Sequence, residues 1–245
     1  MRRIYALLVV VIIVSGVLAS GCIGTSETST TSTESPMPTN TVPLMADSNG
    51  NVNTNDLQSY INSLPAEPLT DAEKEGLLFM VEEEKLAHDV YTKLYEKWGL
   101  QIFANIAKSE TTHVESVRML LEKYNLTDPT ANAGIGEFQN KEIQALYDQL
   151  IEMGMKSEVD ALKVGAIIEE TDIRDLQGWL AQTNKIDIIT VYENLMMGSR
   201  NHLRAFVGQL ENRGVTYESQ ILPKDEFEEI INSPMETGSG MGGKP

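Results

Sequence analysis

Six side chains in this sequence have the types and spacing to hold a metal ion: Glu84, Glu110, His113, Glu169, Asp172 and His202. In the run Glu110-Thr111-Thr112-His113 a carboxylate and an imidazole are three residues apart, so on a helix they share one face a turn apart. Glu169 and Asp172 repeat that spacing with two carboxylates, and Glu170 beside them is the alternative to Asp172. Glu84 follows Glu83, and His202 stands alone. Glu84, Glu110, His113, Glu169 and His202 each interrupt an apolar stripe, with Asp172 three residues beyond Glu169. A carboxylate taken into an apolar interior is costly unless it is paired, hydrogen-bonded or bound to a metal. Mixed carboxylate and imidazole donors suit iron or manganese, with zinc as a further alternative. Taken singly, each has a plainer reading. Glu83 to Lys85 can be a solvated face, Glu-x-x-His arises by chance, and a lone core histidine is often simply hydrogen-bonded. Their joint placement is what points to metal.

The elements that must position them read as helices. Thr70-Asp71-Ala72-Glu73 is a capping box, and it opens a helix running to Trp98, before Gly99. Its stripe is Leu77, Val81, Glu84, Ala87, Tyr91, Leu94 and Trp98. A second helix carries Phe103, Ile106, Glu110, His113, Val117, Leu120 and Tyr124. The stretch from Asn125 to Ser157 is a long connection, with Asp128-Pro129, two glycines and a short helix near Lys141–Met153. Ser157 and Asp160 start a third long helix through Leu162, Ala166, Glu169, Ile173, Leu176 and Leu180. The fourth runs from Asp187 to Asn212, ends at Gly214, and aligns Ile188, Tyr192, Leu195, Ser199, His202, Phe206 and Gln209. A last short helix is expected over 224–232. No segment alternates as a strand would. The pattern predicts an all-α bundle of four long helices, two hairpins joined by a long crossover between the second and third.

Composition narrows the classes. The chain has 245 residues, 41% hydrophobic and 22% charged, enough for a packed core. Acidic residues number 36 against 19 basic ones, a formal charge of −17 that disfavours nucleic acid as a partner. Cys22 is the one cysteine, so an intrachain disulfide and a thiolate metal cluster are both excluded. At the N-terminus, Arg2 and Arg3 precede an apolar run from Ile4 to Leu18 and the small residues Ala19-Ser20-Gly21. This is the layout of a secretory signal over 1–21. The Ala19-Ser20-Gly21-Cys22 stretch resembles a prokaryotic lipobox, which implies a lipid on Cys22. The alternative is an uncleaved anchor, since no charge falls between Ile4 and Ser26. Either way the body is expected outside the cytoplasm, held at the cell membrane. Residues 22–68 are expected to be a Ser/Thr-rich tether and loop, the bundle to occupy 69–222, and 223–245 to be a short helix and frayed tail. Asp47-Ser48-Asn49-Gly50-Asn51 superficially suggests a calcium loop, but the position that needs glycine holds Val52.

Glu84-Lys85-Leu86-Ala87-His88-Asp89-Val90-Tyr91 resembles the first helix of rubrerythrin-type ferritin-like proteins, and Glu110 to His113 their second. Glu169 with Asp172 is similar to their third-helix carboxylates, and His202 with Phe206 to the end of their fourth. More closely, EEEKLAHDVY, NIAKSETTHVESV, GAIIEETDIRDL and GSRNHLRAFV resemble the prokaryotic family catalogued as domain of unknown function 2202, placed in the ferritin-like superfamily. The resemblance covers about residues 69–222 and implies a non-haem, di-iron or other di-metal centre for oxygen or peroxide chemistry or metal binding. It implies Glu110 as a bridge, Glu84 and Glu169 as terminal ligands, and His113 and His202 as one nitrogen donor each. Tyr91 would lie near the centre as a redox or hydrogen-bonding group, or would be a core tyrosine. One departure stands out. The fourth helix has Ser199 where full di-iron bundles have a glutamate, and Gly198 and Asn201 supply no carboxylate either. That departure supports the rival reading, a non-catalytic cell-surface protein that keeps the bundle without a working metal site. The sequence names no catalytic residue and no redox partner.

Overall fold

The computed structural model of the protein describes residues 42–238. The expected signal segment, Cys22 and the expected tether to residue 41 lie outside the described residues, as does the end of the tail. Among the described residues there are seven helices: α1 (Thr54–Ser63), α2 (Asp71–Trp98), α3 (Gln101–Lys123), α4 (Lys141–Gly154), α5 (Glu158–Leu180), α6 (Ile186–Glu211) and α7 (Lys224–Asn232). The β structure described is a single antiparallel bridge between Ala46 and Val52, so the all-α reading holds. No described helix is long and apolar enough to cross a membrane.

Local chemistry sets the helix ends. Thr70 Oγ1 accepts from the Glu73 backbone N–H while Glu73 accepts from that of Thr70, a capping box that opens α2. Gly99, at φ 67°, closes it in the left-handed region, and the chain turns directly into α3. The partners then show the direction of each helix. Glu84 faces His113 and Tyr91 faces Phe103, so α2 and α3 are antiparallel. Asp172 meets Ser199 and the Gly165 backbone lies against Phe206, so α5 and α6 are antiparallel too. The two hairpins join through Tyr91 with Glu169 and Gly76 with Trp179 on one side. On the other side, Glu110 lies by His202, and Lys123 donates to Asp187 at 2.6 Å. Every neighbouring pair is thus antiparallel. The end of α3 and the start of α5 therefore lie at opposite ends of the helices, and the connection must run their full length. It does so as residues 124–157, with α4 packed on α2 and α5 and the Trp98 indole N–H donating to the Gly154 carbonyl at 2.9 Å.

The region Val42–Pro68, expected to be loop, is built into the fold. Asn53 caps α1, whose Leu57 and Ile61 are fully buried. Before it, Met45, Ala46 and Val52 are buried as well. At the other end α7 buries Phe227 and Ile230, Glu236 pairs with Arg200 and Arg204, and the Gly238 N–H donates to the Ala46 carbonyl at 2.8 Å.

Candidate metal centre

Five of the six residues chosen from the sequence converge between the four long helices. Glu84 comes from α2, Glu110 and His113 from α3, Glu169 from α5 and His202 from α6, none more than 2% exposed. His113 Nδ1 lies 3.2 Å from Glu84 Oε2 and 2.9 Å from Glu110 Oε2. His202 Nδ1 lies 3.0 Å from Glu110 Oε1 and 3.4 Å from Glu169 Oε2. Glu110 thus turns one oxygen to each imidazole, and the two rings stack with centroids 5.6 Å apart. The result is two triads that share one carboxylate. Within each, Glu84–Glu110–His113 and Glu110–Glu169–His202, one donor atom per residue lies within 4.8 Å of the others.

Several of these atoms are left without a hydrogen bond. Glu84 Oε1, Glu110 Oε1 and His202 Nδ1 are buried and lack a partner, although His202 Nδ1 and Glu110 Oε1 are close enough for one. Their separation is short but their directions do not suit an N–H···O bond. Native interiors rarely leave such groups unpaired, and a cation between them would satisfy them. The donor set fits one or two iron, manganese or zinc ions.

The outward nitrogens are fully engaged. His113 Nε2 donates to the Gly50 carbonyl at 2.9 Å, and His202 Nε2 lies 3.0 Å from the Asn49 carbonyl and 3.1 Å from Ser109 Oγ. A carbonyl can only accept, so Nε2 carries hydrogen and Nδ1 is the donor atom turned inward. Two glycines make room for this. A Cβ on Gly50, at φ +82°, would fall 2.2 Å from His202 Nε2, and one on Gly198 would fall 2.6 Å from His113 Nε2.

The electrostatics are those of a closed charge cluster. Burial pushes the Glu110 carboxyl up, but the two imidazoles beside it outweigh that and hold it well below the usual range. Burial alone would lower both histidines. Glu110 and Glu84 instead raise His113 well above the ordinary value, and Glu169 and Glu110 raise His202 to about 10. Glu84 is pushed up to about 7 by burial, partly offset by His113. Glu169 is also raised by burial, against the pull of His202. The Tyr91 hydroxyl donates to Glu169 Oε1 at 2.5 Å, and burial together with that carboxylate keeps it a phenol.

Asp172 stands apart from both triads. Ser199 donates its hydroxyl to Asp172 Oδ2, while Oδ1 is unpartnered; burial and then Glu84 raise its carboxyl well above the usual range. Glu170, the alternative to it, points away: it accepts from the Tyr217 hydroxyl at 2.6 Å and from the backbone N–H groups of Gln220, Ile221 and Leu222. Its role is to fold the loop after α6. The third histidine, His88, bonds Asp89 at 2.9 Å and contributes nothing here. Sequence reasoning missed Asn49, Gly50, Ser109 and Gly198. The signal for the first two was the Asp47–Asn51 cluster, which is a turn presenting carbonyls to histidines.

The chain matches an uncharacterized protein domain family, DUF2202, over residues 73–234. It is 59% identical over 179 residues to the uncharacterized protein MJ0754 of Methanocaldococcus jannaschii, covering 73% of this chain and 97% of that protein. The crystal structure of hypothetical protein MJ0754 from Methanococcus jannaschii DSM 2661 is similar at TM-score 0.69 and 58% identity, covering 71% of this chain and 99% of that one. With more than half of its residues inside the family match, this chain belongs to the DUF2202 family.

Proposed function

We propose that the protein is a membrane-tethered, ferritin-like four-helix bundle holding a non-haem di-metal centre, with iron first and manganese or zinc as alternatives. The observation that supports this reading is Glu110, which turns one oxygen to each of two stacked imidazoles and would be the carboxylate common to both metal positions. Glu84 with His113 would complete one metal position, and Glu169 with His202 the other. Bound iron or manganese would supply the redox chemistry for oxygen or peroxide activation. The protein's own part is to exclude water and bulky molecules, since the five side chains are almost wholly buried, and to keep a proton on Tyr91 beside Glu169. Only small molecules, or the metal ions themselves, suit so closed a site. The tether would be a lipid on Cys22, on the outer face of the cell membrane, and Cys22→Ser should then abolish lipid processing and membrane retention.

The second reading, a surface protein that keeps the fold without a working metal site, rests on Ser199 in place of a fourth-helix glutamate. Metal analysis of the purified protein after anaerobic iron loading separates the two. About two irons per chain, as in di-iron bundles, supports the first reading, and none supports the second.

A further inference from the structure

We propose that the segment Met45–Val52 is a strap that fixes both histidines with Nδ1 facing inward, by supplying a backbone carbonyl to each outer nitrogen. This rests on the metal centre proposed above and adds the element that orients its nitrogen donors.

The strap is held on the residues next to the histidines themselves. Thr112 Oγ1, one residue before His113, accepts from the Val52 N–H at 3.0 Å. Asn201, one residue before His202, donates to the Asp47 carbonyl at 3.4 Å. Asn194, two turns earlier on α6, accepts from the Met45 and Ala46 N–H groups and donates to the Pro43 carbonyl at 3.0 Å. Between these clamps the Asp47 carboxylate accepts from the Asn49 and Asn51 N–H groups at 2.8 and 3.0 Å. That Asx turn, tightened by the bond from Gly50 N–H to the Asp47 carbonyl, aims the Asn49 and Gly50 carbonyls into the helices. Gly50 is the residue that permits it, since any Cβ there would meet the His202 ring.

A ligating imidazole needs its second nitrogen held, because that bond fixes both the tautomer and the ring's direction. Among the described residues no carboxylate does so for either ring. The strap carbonyls do it for both, helped at His202 by Ser109. Asn49, Gly50 and Asp47 are therefore positioning residues, acting through the histidines.

The test uses the full chain, metal-free for one measurement and titrated with zinc for the other. In the parent, the Hε2 protons of His113 and His202 should exchange slowly with water and show nuclear Overhauser contacts to the Gly50 α-protons. Asp47→Ala opens the turn from the exposed side, where folding is not at stake, and Asn194→Ala releases the strap from α6. Both should speed Hε2 exchange, remove those contacts and weaken zinc binding about 10- to 100-fold. Absence of protection in the parent, or equal protection in both variants, overturns the strap. So does unchanged zinc affinity in variants whose Hε2 protons have been freed. A parent that keeps its protected Hε2 protons but binds no zinc overturns the metal centre instead, which tells the two failures apart.

Discussion

Ser199 donates its hydroxyl to Asp172, and the bond links α6 to α5 one turn from the His202–Glu169 pair. The serine adds no charge between the helices, and it satisfies a carboxyl that burial and Glu84 favour in its protonated form. Ser199→Ala should leave that buried group short of a partner and lower stability by about 1–2 kcal/mol. Metal content should not change, because Asp172 lies outside both triads. Parallel denaturation and metal analysis decide it; a fall in metal content along with stability would make the pair part of the site.

Of the five convergent residues, Glu110 should be the most sensitive to substitution. It faces two imidazoles, so Glu110→Ala removes the carboxylate common to both triads and leaves two buried cations with less compensation. Stability of the metal-free protein should fall by about 3–5 kcal/mol, the cost of breaking a buried charge network. The rise in melting temperature on adding iron or manganese should vanish with it, since that rise measures binding to the folded state. Glu115→Ala, on the exposed face of the same helix, is the control and should alter neither quantity. Calorimetric melts with and without metal read both.

The folded body begins before residue 68. Met45, Ala46, Val52, Leu57 and Ile61 are each no more than 5% exposed, and a chain starting at Pro68 lacks them all. Burying one side chain of the larger kind contributes about 1.5–3 kcal/mol, as an upper estimate. The shortened chain should melt well below a chain starting at Val42, and its histidines should lose their partners at Asn49 and Gly50. Equal melting temperatures would show that the segment packs without stabilising.

The long helices were legible in the sequence because each carries a long 3.6-residue period in which apolar residues predominate, and α2 adds end signals at Thr70 and Gly99. The five convergent residues were legible because charge on a core stripe is a conflict that something must resolve. Helix α1 was not. It has ten residues with only Leu57 and Ile61 buried, too little periodicity to stand out from a polar stretch. The carbonyls at Asn49 and Gly50 could not be read either, since a backbone acceptor leaves no mark in residue type. Nor could the split between Glu169 and Glu170. Adjacent carboxylates on one helix point about 100° apart, and only the packing of the 217–222 loop decides that Glu170 serves it while Glu169 faces His202.

The metal-free protein should lose stability as pH rises from about 5 to 10. Glu84, raised to about 7 from 4.5 chiefly by burial, keeps its proton in the folded state where the unfolded chain has lost it. Its contribution is therefore present below 4.5 and lost through 7. His202, raised to about 10 by Glu169 and Glu110 against burial, contributes fully below its ordinary 6.5 and loses that contribution as pH climbs through 10. Glu110 acts in the opposite sense. Its lowered carboxyl contributes above 4.5 and is lost only on further acidification, which sets the acid limb. The metal-free optimum should thus lie near pH 5, with a melting temperature several degrees lower at pH 8.5. Metal should act against that slope. Its ligands must be free of protons, so affinity grows with pH and the metal-dependent rise in melting temperature should be larger at 8.5 than at 5. Glu84→Gln should flatten the metal-free decline between 4.5 and 7 and lessen the His113 share of the decline above 7, leaving in place the share of His202, which Glu169 and Glu110 hold. A metal-free melting temperature that stays level or climbs from pH 5 to 8.5 would mean that these carboxylates and imidazoles are not coupled as the distances indicate.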